Sequence, residues 1–105
     1  MLRIYDTIVD VLGKMQPVIE AIAVRDRDLA RQLRRAGASV LLNVAEGSGS
    51  SGGTRTERYR NALGSAREAG ACLDLALAWG YVDSLDASML DQLDKVRATL
   101  VKNAV

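Results

Sequence analysis

The chain has 105 residues, a formal net charge of +1, 49% hydrophobic residues and 26% charged residues. These values are typical of a folded protein, and the length suits a single hydrophobic core, so we expect one domain over residues 1–105. Histidine is absent, which removes the commonest general base and the commonest metal ligand. We therefore predict a protein without catalytic, metal or cofactor sites.

The opening segment and the single cysteine indicate where the protein works. The start, MLRIYDTIVD, has neither the pattern of a cleaved signal nor an apolar stretch that could cross a membrane. Cys72 has no partner for an internal disulfide, and its neighbours Ala71 and Leu73 favour a buried, small hydrophobic role. We expect a cytoplasmic protein.

No segment alternates apolar and polar residues long enough to predict a strand, so the expected class is all-α. A first helix is predicted over about residues 3–23. Pro17 lies inside it and predicts a kink or a restart, because proline lacks an amide donor. Asp26 or Asp28 is placed to cap the following helix. The first helix has apolar residues at spacings of three and four: Ile4, Ile8, Val11, Leu12, Met15, Ile19 and Ile22.

The second helix is predicted from Leu29 to Glu46, with Gly47 ending it in a left-handed conformation. Its core stripe is Leu29, Leu33, Ala36, Val40, Val44 and Gly47. Residues 47–53 contain only glycine and serine and predict a flexible loop. Thr54 or Thr56 is the expected cap of the third helix, and Thr54 with Glu57 has the spacing of a capping box.

The third helix carries a heptad repeat, the pattern of left-handed helix packing. The repeat consists of Tyr59, Leu63, Ala66, Gly70, Leu73, Leu77 and Gly80. A turn over residues 80–83 leads to a fourth helix over about residues 86–103, capped by Ser84 or Asp86. Its apolar residues are Leu85, Met89, Leu93, Val96 and Leu100. The predicted architecture is an antiparallel, up-and-down four-helix bundle.

The second helix has apolar residues on a second side: Ala38, Leu41, Leu42 and Ala45. Either the fourth helix covers this side or a second copy of the protein does, and we favour a homo-oligomer because an uncovered leucine pair is costly. A polar line follows one edge of the same helix: Arg35, Ser39, Asn43 and Glu46. Arg67 and Glu68 are candidates for the facing side, with a Glu46–Arg67 pair among the options. These residues form either a structural polar network or a ligand site.

Two strings in this region resemble the signature of a known family: Asn43 to Gly47, preceded by Arg35 and Ser39, and then Gly64 to Glu68. The chain resembles the bacterial four-helix bundle proteins encoded in intervening sequences of the 23S ribosomal RNA gene, over nearly its whole length. The resemblance implies a four-helix bundle that assembles as a homopentamer. A more distant similarity, to the accessory variability determinant of diversity-generating retroelements, implies a reverse transcriptase and nucleic acid as partners.

Positive charge is concentrated in residues 25–67, which hold nine arginines and four acids. Guanidinium groups bind phosphates through forked contacts, so this segment is a candidate for RNA or DNA binding. The candidate residues are Arg31, Arg34, Arg35, Arg55, Arg58 and Arg60. The alternatives are a solvated surface, or a scaffold that binds a protein such as a reverse transcriptase. An enzyme is the least favoured class, since Asp91 and Asp94 are more typical of a solvated helix face than of an acid–base pair.

Overall fold

The structure is a computed structural model that describes residues 3–105. In that range the chain forms four α-helices and no strand: α1 (Ile4–Arg25), α2 (Arg27–Ser48), α3 (Gly52–Ala78) and α4 (Ala87–Asn103). The predicted all-α class is confirmed. Each helix packs mainly on two others, in the order α1, α2, α3, α4 and back to α1. The helices therefore stand at the corners of a square, as in a four-helix bundle.

Contacts between named residues show that neighbouring helices run in opposite directions. Between α2 and α3, Ser39 lies next to Ser65, whereas Glu46, further along α2, lies next to the earlier residue Arg58. Between α1 and α4, Asp10 binds Gln92 and Lys14 binds Ser88. Helices joined by short connections are expected to pack in this antiparallel way.

The core lies along the faces that the hydrophobic spacing predicts for α1 and α2. All six residues of the α2 stripe are buried, and so are the predicted α1 residues except Leu12, which is half-buried. In α4 the buried residues are Met89, Leu93, Val96 and Leu100, as predicted, whereas Leu85 precedes the helix and is half-buried. These side chains belong to one cluster of buried residues, which fixes the four helices against one another.

Helix α1 continues through Pro17, so the expected restart is wrong. Pro17 is exposed on the outer side of the helix. Its ring therefore meets no other helix, and the cost of the missing amide is limited to one backbone bond that faces solvent.

The connection between α2 and α3 is shorter than predicted. Gly47 is a buried residue inside α2, where the ring of Tyr59 occupies the space that a Cβ would need. The helix is capped two residues later by Gly49, whose φ of −87° is right-handed, so the predicted left-handed cap at Gly47 is wrong. The left-handed residue is instead Gly52, with φ +59°, at the start of α3.

Helix α3 begins before Thr54, and its N-cap residue is Ser51, whose side chain makes no capping hydrogen bond. The predicted capping box is therefore wrong. Thr56 Oγ1 donates to the carbonyl oxygen of Gly52, inside the helix. The predicted caps of the other two helices are confirmed, because Asp26 accepts from the amide of Leu29 and Asp86 accepts from that of Ser88.

The heptad repeat of α3 describes its first half better than its second. Tyr59, Leu63, Ala66 and Leu73 are buried, but Leu77 is 40% exposed. Small side chains complete the buried face: Ala62, Ala69, Cys72 and Ala76. These small residues let α2 approach α3 closely. Near the C-terminal end of α3 the buried face therefore lies on the side toward α2, and Leu77 lies outside it.

Candidate functional site: an open groove between α2 and α3

An open polar groove lies on the surface between α2 and α3. It consists of two adjoining depressions of about 490 Å³ and 410 Å³, which share Arg35 and Ser39 as lining residues. The first is also lined by Gln32, Ala36, Ser65 and Glu68. The second is also lined by Ala38, Leu42, Asn43, Glu46 and Arg58.

The floor of the groove is a small hydrogen-bonded cluster of half-buried side chains. Ser65 Oγ donates to Ser39 Oγ over 2.8 Å, and Asn43 Nδ2 donates to the same oxygen over 3.0 Å. Asn43 Nδ2 is also 2.9 Å from the backbone carbonyl oxygen of Ser39. Because Ser65 belongs to α3 and the other two residues belong to α2, the cluster links the helices and fixes their relative level.

The carboxylate of Glu46 pairs with Arg58, with Oε2 3.1 Å from Nε. The Glu46–Arg67 pair considered from the sequence is not formed, because residue 67 lies on the opposite side of α3. The side chain of Glu46 is 59% exposed and that of Arg58 is 44% exposed. Glu46 is therefore not a buried charge, and this ion pair is of the weak surface type.

Glu68 is exposed on the groove, across from Arg35, and its charge acts on the neighbouring thiol. The pKa of Cys72 is raised above its ordinary value, first by burial and second by the negative charge of Glu68. Arg67 is exposed and does not line the groove. It lies one heptad after Arg60, on the side of α3 that faces α4.

The six arginines proposed for nucleic-acid binding do not share one face. Arg58 points to α2, whereas Arg60 donates from Nη2 to the carbonyl oxygen of Ala104 after α4, over 3.2 Å. Arg55 donates to the carbonyl oxygen of Ser50 in the α2–α3 connection. Arg31 is 3.7 Å from Asp28 on an exposed part of α2, and Arg34 and Arg35 make no ion pair within residues 3–105. The charge is therefore spread around the bundle.

The second apolar side of α2 divides into a covered and an uncovered half. Leu41 is half-buried and packs against the core, and Ala45 is also half-buried. Ala38 is exposed, and Leu42 is 61% exposed. The bundle thus covers the side of α2 next to α1 and leaves Ala38 and Leu42 at the rim of the groove.

The groove gathers most of the polar residues that carry the family resemblance, but sequence reasoning missed Gln32 in its lining and Arg58 as the partner of Glu46. The predicted loop over residues 47–53 could have identified Arg58, since a loop there places the start of α3 beside the end of α2.

Within residues 3–105 no group of three or more acidic or cysteine side chains is arranged to hold a metal ion. None of the helices in this range is long and apolar enough to cross a membrane.

The fold and the groove define a class of small helical bundle with a polar, open surface site. The model of the 23S rRNA-intervening sequence protein family matches residues 3–102. The chain belongs to this family. A protein of unknown function from the S23 ribosomal protein family of Bacteroides thetaiotaomicron has the same fold, with a TM-score of 0.82, 16% sequence identity, and coverage of 96% of this chain and 97% of that one. No curated protein sequence matches the chain.

Proposed function

We propose that the protein is a non-enzymatic homo-oligomer of the intervening-sequence type, one bundle domain per copy, that works in the cytoplasm as a binding scaffold. The observation that carries this proposal is the exposed Leu42, which lies with Ala38 at the centre of the outer face of α2. Burial of this side chain against another molecule removes apolar surface from water, which favours association. The family resemblance adds five as the expected number of copies.

The test of this proposal is the mass of the protein in solution. Light scattering across a range of concentrations should give a single assembly that is several times heavier than one copy. A monomer at every concentration would contradict the proposal.

Nucleic-acid binding is a second candidate, supported by Arg34 and Arg55. Both residues are exposed and make no ion pair within residues 3–105, so their guanidinium groups can contact phosphates. Electrostatic binding to RNA or DNA should weaken steeply as salt increases, whereas binding to a protein such as a reverse transcriptase through an apolar surface should not. A titration at low and high salt distinguishes the two kinds of partner.

A further inference from the structure

Two exposed stripes with the same spacing run along the outer faces of α1 and α2. The residues of the α1 stripe are Asp6, Val9, Gly13, Gln16 and Glu20, and all five are exposed. The residues of the α2 stripe are Arg31, Arg35, Ala38, Leu42 and Ala45, of which only Ala45 is half-buried. Each stripe advances by alternating steps of three and four, the spacing with which helices interlock in left-handed packing.

We propose that the α1 stripe of one copy packs antiparallel on the α2 stripe of the next copy, head to tail. The proposal rests on the homo-oligomer proposed above and names its contact surfaces. Such a contact is heterologous, so an open chain of copies leaves a free α1 stripe at one end and a free α2 stripe at the other until the chain closes into a ring.

The α1–α2 hairpin sets the register of this contact. Asp26 is the only residue between the two helices, so their residues lie at matching levels along the bundle. At mid-height Gly37 lies against Leu12 and Met15, and a Cβ on Gly37 would be 2.8 Å from Leu12 Cδ2. A closed ring whose axis is parallel to the helices has no rise from copy to copy. Residues of α1 therefore meet the residues of the neighbouring α2 at these same levels.

The central residues match in size at that register. Gly13 lies opposite Ala38, so the two backbones can approach closely, and nothing lies within 4 Å of the position of a Cβ on Gly13 within the copy. One turn away, Val9, which is 48% exposed, lies opposite Leu42. The contact thus covers the leucine that the bundle leaves uncovered.

The charges match at the other end of the stripes. Glu20 lies opposite Arg31, and Gln16 lies opposite Arg35. Within the copy Glu20 accepts a hydrogen bond from Gln16 but has no cationic partner in residues 3–105. Opposite charges at matching levels steer the encounter and fix the register of the contact.

The position of α1 and α2 in the bundle also fits a small closed ring. Outer faces of adjacent helices in a square bundle point about 90° apart. In a ring, the two contact faces of each copy are about 90° apart for four copies and about 108° apart for five. A small adjustment of either face therefore accommodates a ring of four or five copies.

Disulfide cross-linking tests the register directly. The variant with Gly13→Cys and Ala38→Cys should form a covalent ladder under oxidising conditions, ending at the number of copies in the ring. Each single variant and the unsubstituted protein, whose Cys72 is buried, should form none. A Gly13→Cys variant that cross-links alone would show a symmetric α1–α1 contact and overturn the proposal.

The mass of the parent protein separates this proposal from the more general one. A monomeric parent would contradict both, whereas an oligomeric parent whose double-cysteine variant gives no ladder would contradict the α1–α2 contact alone. A charge exchange provides an independent check with exposed, fold-neutral positions. Glu20→Arg should shift the mass toward that of one copy, and adding Arg31→Glu should restore the assembly. If the second substitution does not restore the assembly, Glu20 and Arg31 do not lie opposite each other in the contact.

Discussion

The ring of Tyr59 at the start of α3 lies against Gly47 near the end of α2, in the space that a Cβ would fill. Gly47→Ala should therefore destabilise the protein by about 1–3 kcal/mol, even though alanine favours a helix over glycine by about 1 kcal/mol. Gly64→Ala is the matched control, because nothing lies within 4 Å of its Cβ position, so it should be neutral or stabilising. Urea unfolding of both variants measures the difference, and equal effects would mean that the Tyr59 ring moves aside freely.

Replacing Leu42 by glutamate should dissociate the assembly and leave the bundle folded. Covering a leucine is worth about 1.5–3 kcal/mol for each contact of the ring, and a carboxylate removes this gain. Light scattering reports the mass and circular dichroism the fold. Val101→Glu, at a 46% exposed position of α4, is the control and should stay assembled. Assembly that survives Leu42→Glu would move the interface elsewhere.

Leu41→Glu should affect folding rather than assembly. Leu41 packs against the core and is half-buried, so a charge there loses part of its solvation. The melting temperature should fall well below that of Leu42→Glu. Equal melting temperatures for the two variants would indicate that α2 can rotate to expose residue 41.

Glu46→Ala should cost no more than about 1 kcal/mol, because its ion pair with Arg58 is solvent-exposed. A buried pair would cost about 3–5 kcal/mol. Thermal unfolding beside the exposed Asp91→Ala variant measures the difference. A loss of several kcal/mol would show that an assembly contact buries Glu46.

Stability should fall at alkaline pH because of Cys72. Burial raises the pKa of its thiol, whose ordinary value is 9.0, so the unfolded chain releases this proton at lower pH than the folded protein does. The stabilising effect is complete below pH 9.0 and is lost as pH rises toward the higher folded pKa. Urea midpoints between pH 8 and pH 11 should fall less in Cys72→Ala than in the parent. Parallel curves would contradict this assignment.

If the protein binds RNA or DNA, Arg34→Glu together with Arg55→Glu should weaken binding and lower its dependence on salt. Each lost phosphate contact should reduce the logarithmic salt slope by about one. Lys95→Glu on α4 is the control for a general change in charge. Fluorescence anisotropy at several salt concentrations checks this, and unchanged binding in the double variant would exclude these two arginines.

The sequence was sufficient to predict the four helices and the core of α1, α2 and α4, because large apolar residues there recur at helical spacing. The prediction failed at Gly47, because a glycine can either end a helix or make room for a neighbouring side chain. Which of the two applies depends on where α3 packs against α2. It also failed at Leu77, because the alanines of α3 pack closely on α2 and turn the buried face. Most of the groove residues could be recognised from the sequence as one set. Their pairing, such as Glu46 with Arg58, could not, because it depends on how far α3 is shifted along α2.

Pro17 has a consequence for the surface of α1. A proline ring cannot supply the amide proton that the carbonyl oxygen of Gly13 would otherwise receive, so this oxygen is a spare acceptor. Gly13 is exposed and has no side chain to shield it, which leaves the oxygen open to water or to a donor from another molecule. The carbonyl oxygen of Gly13 is thus a hydrogen-bond acceptor on the α1 stripe that belongs to the backbone. Replacing Gly13 by another small residue would leave this acceptor in place.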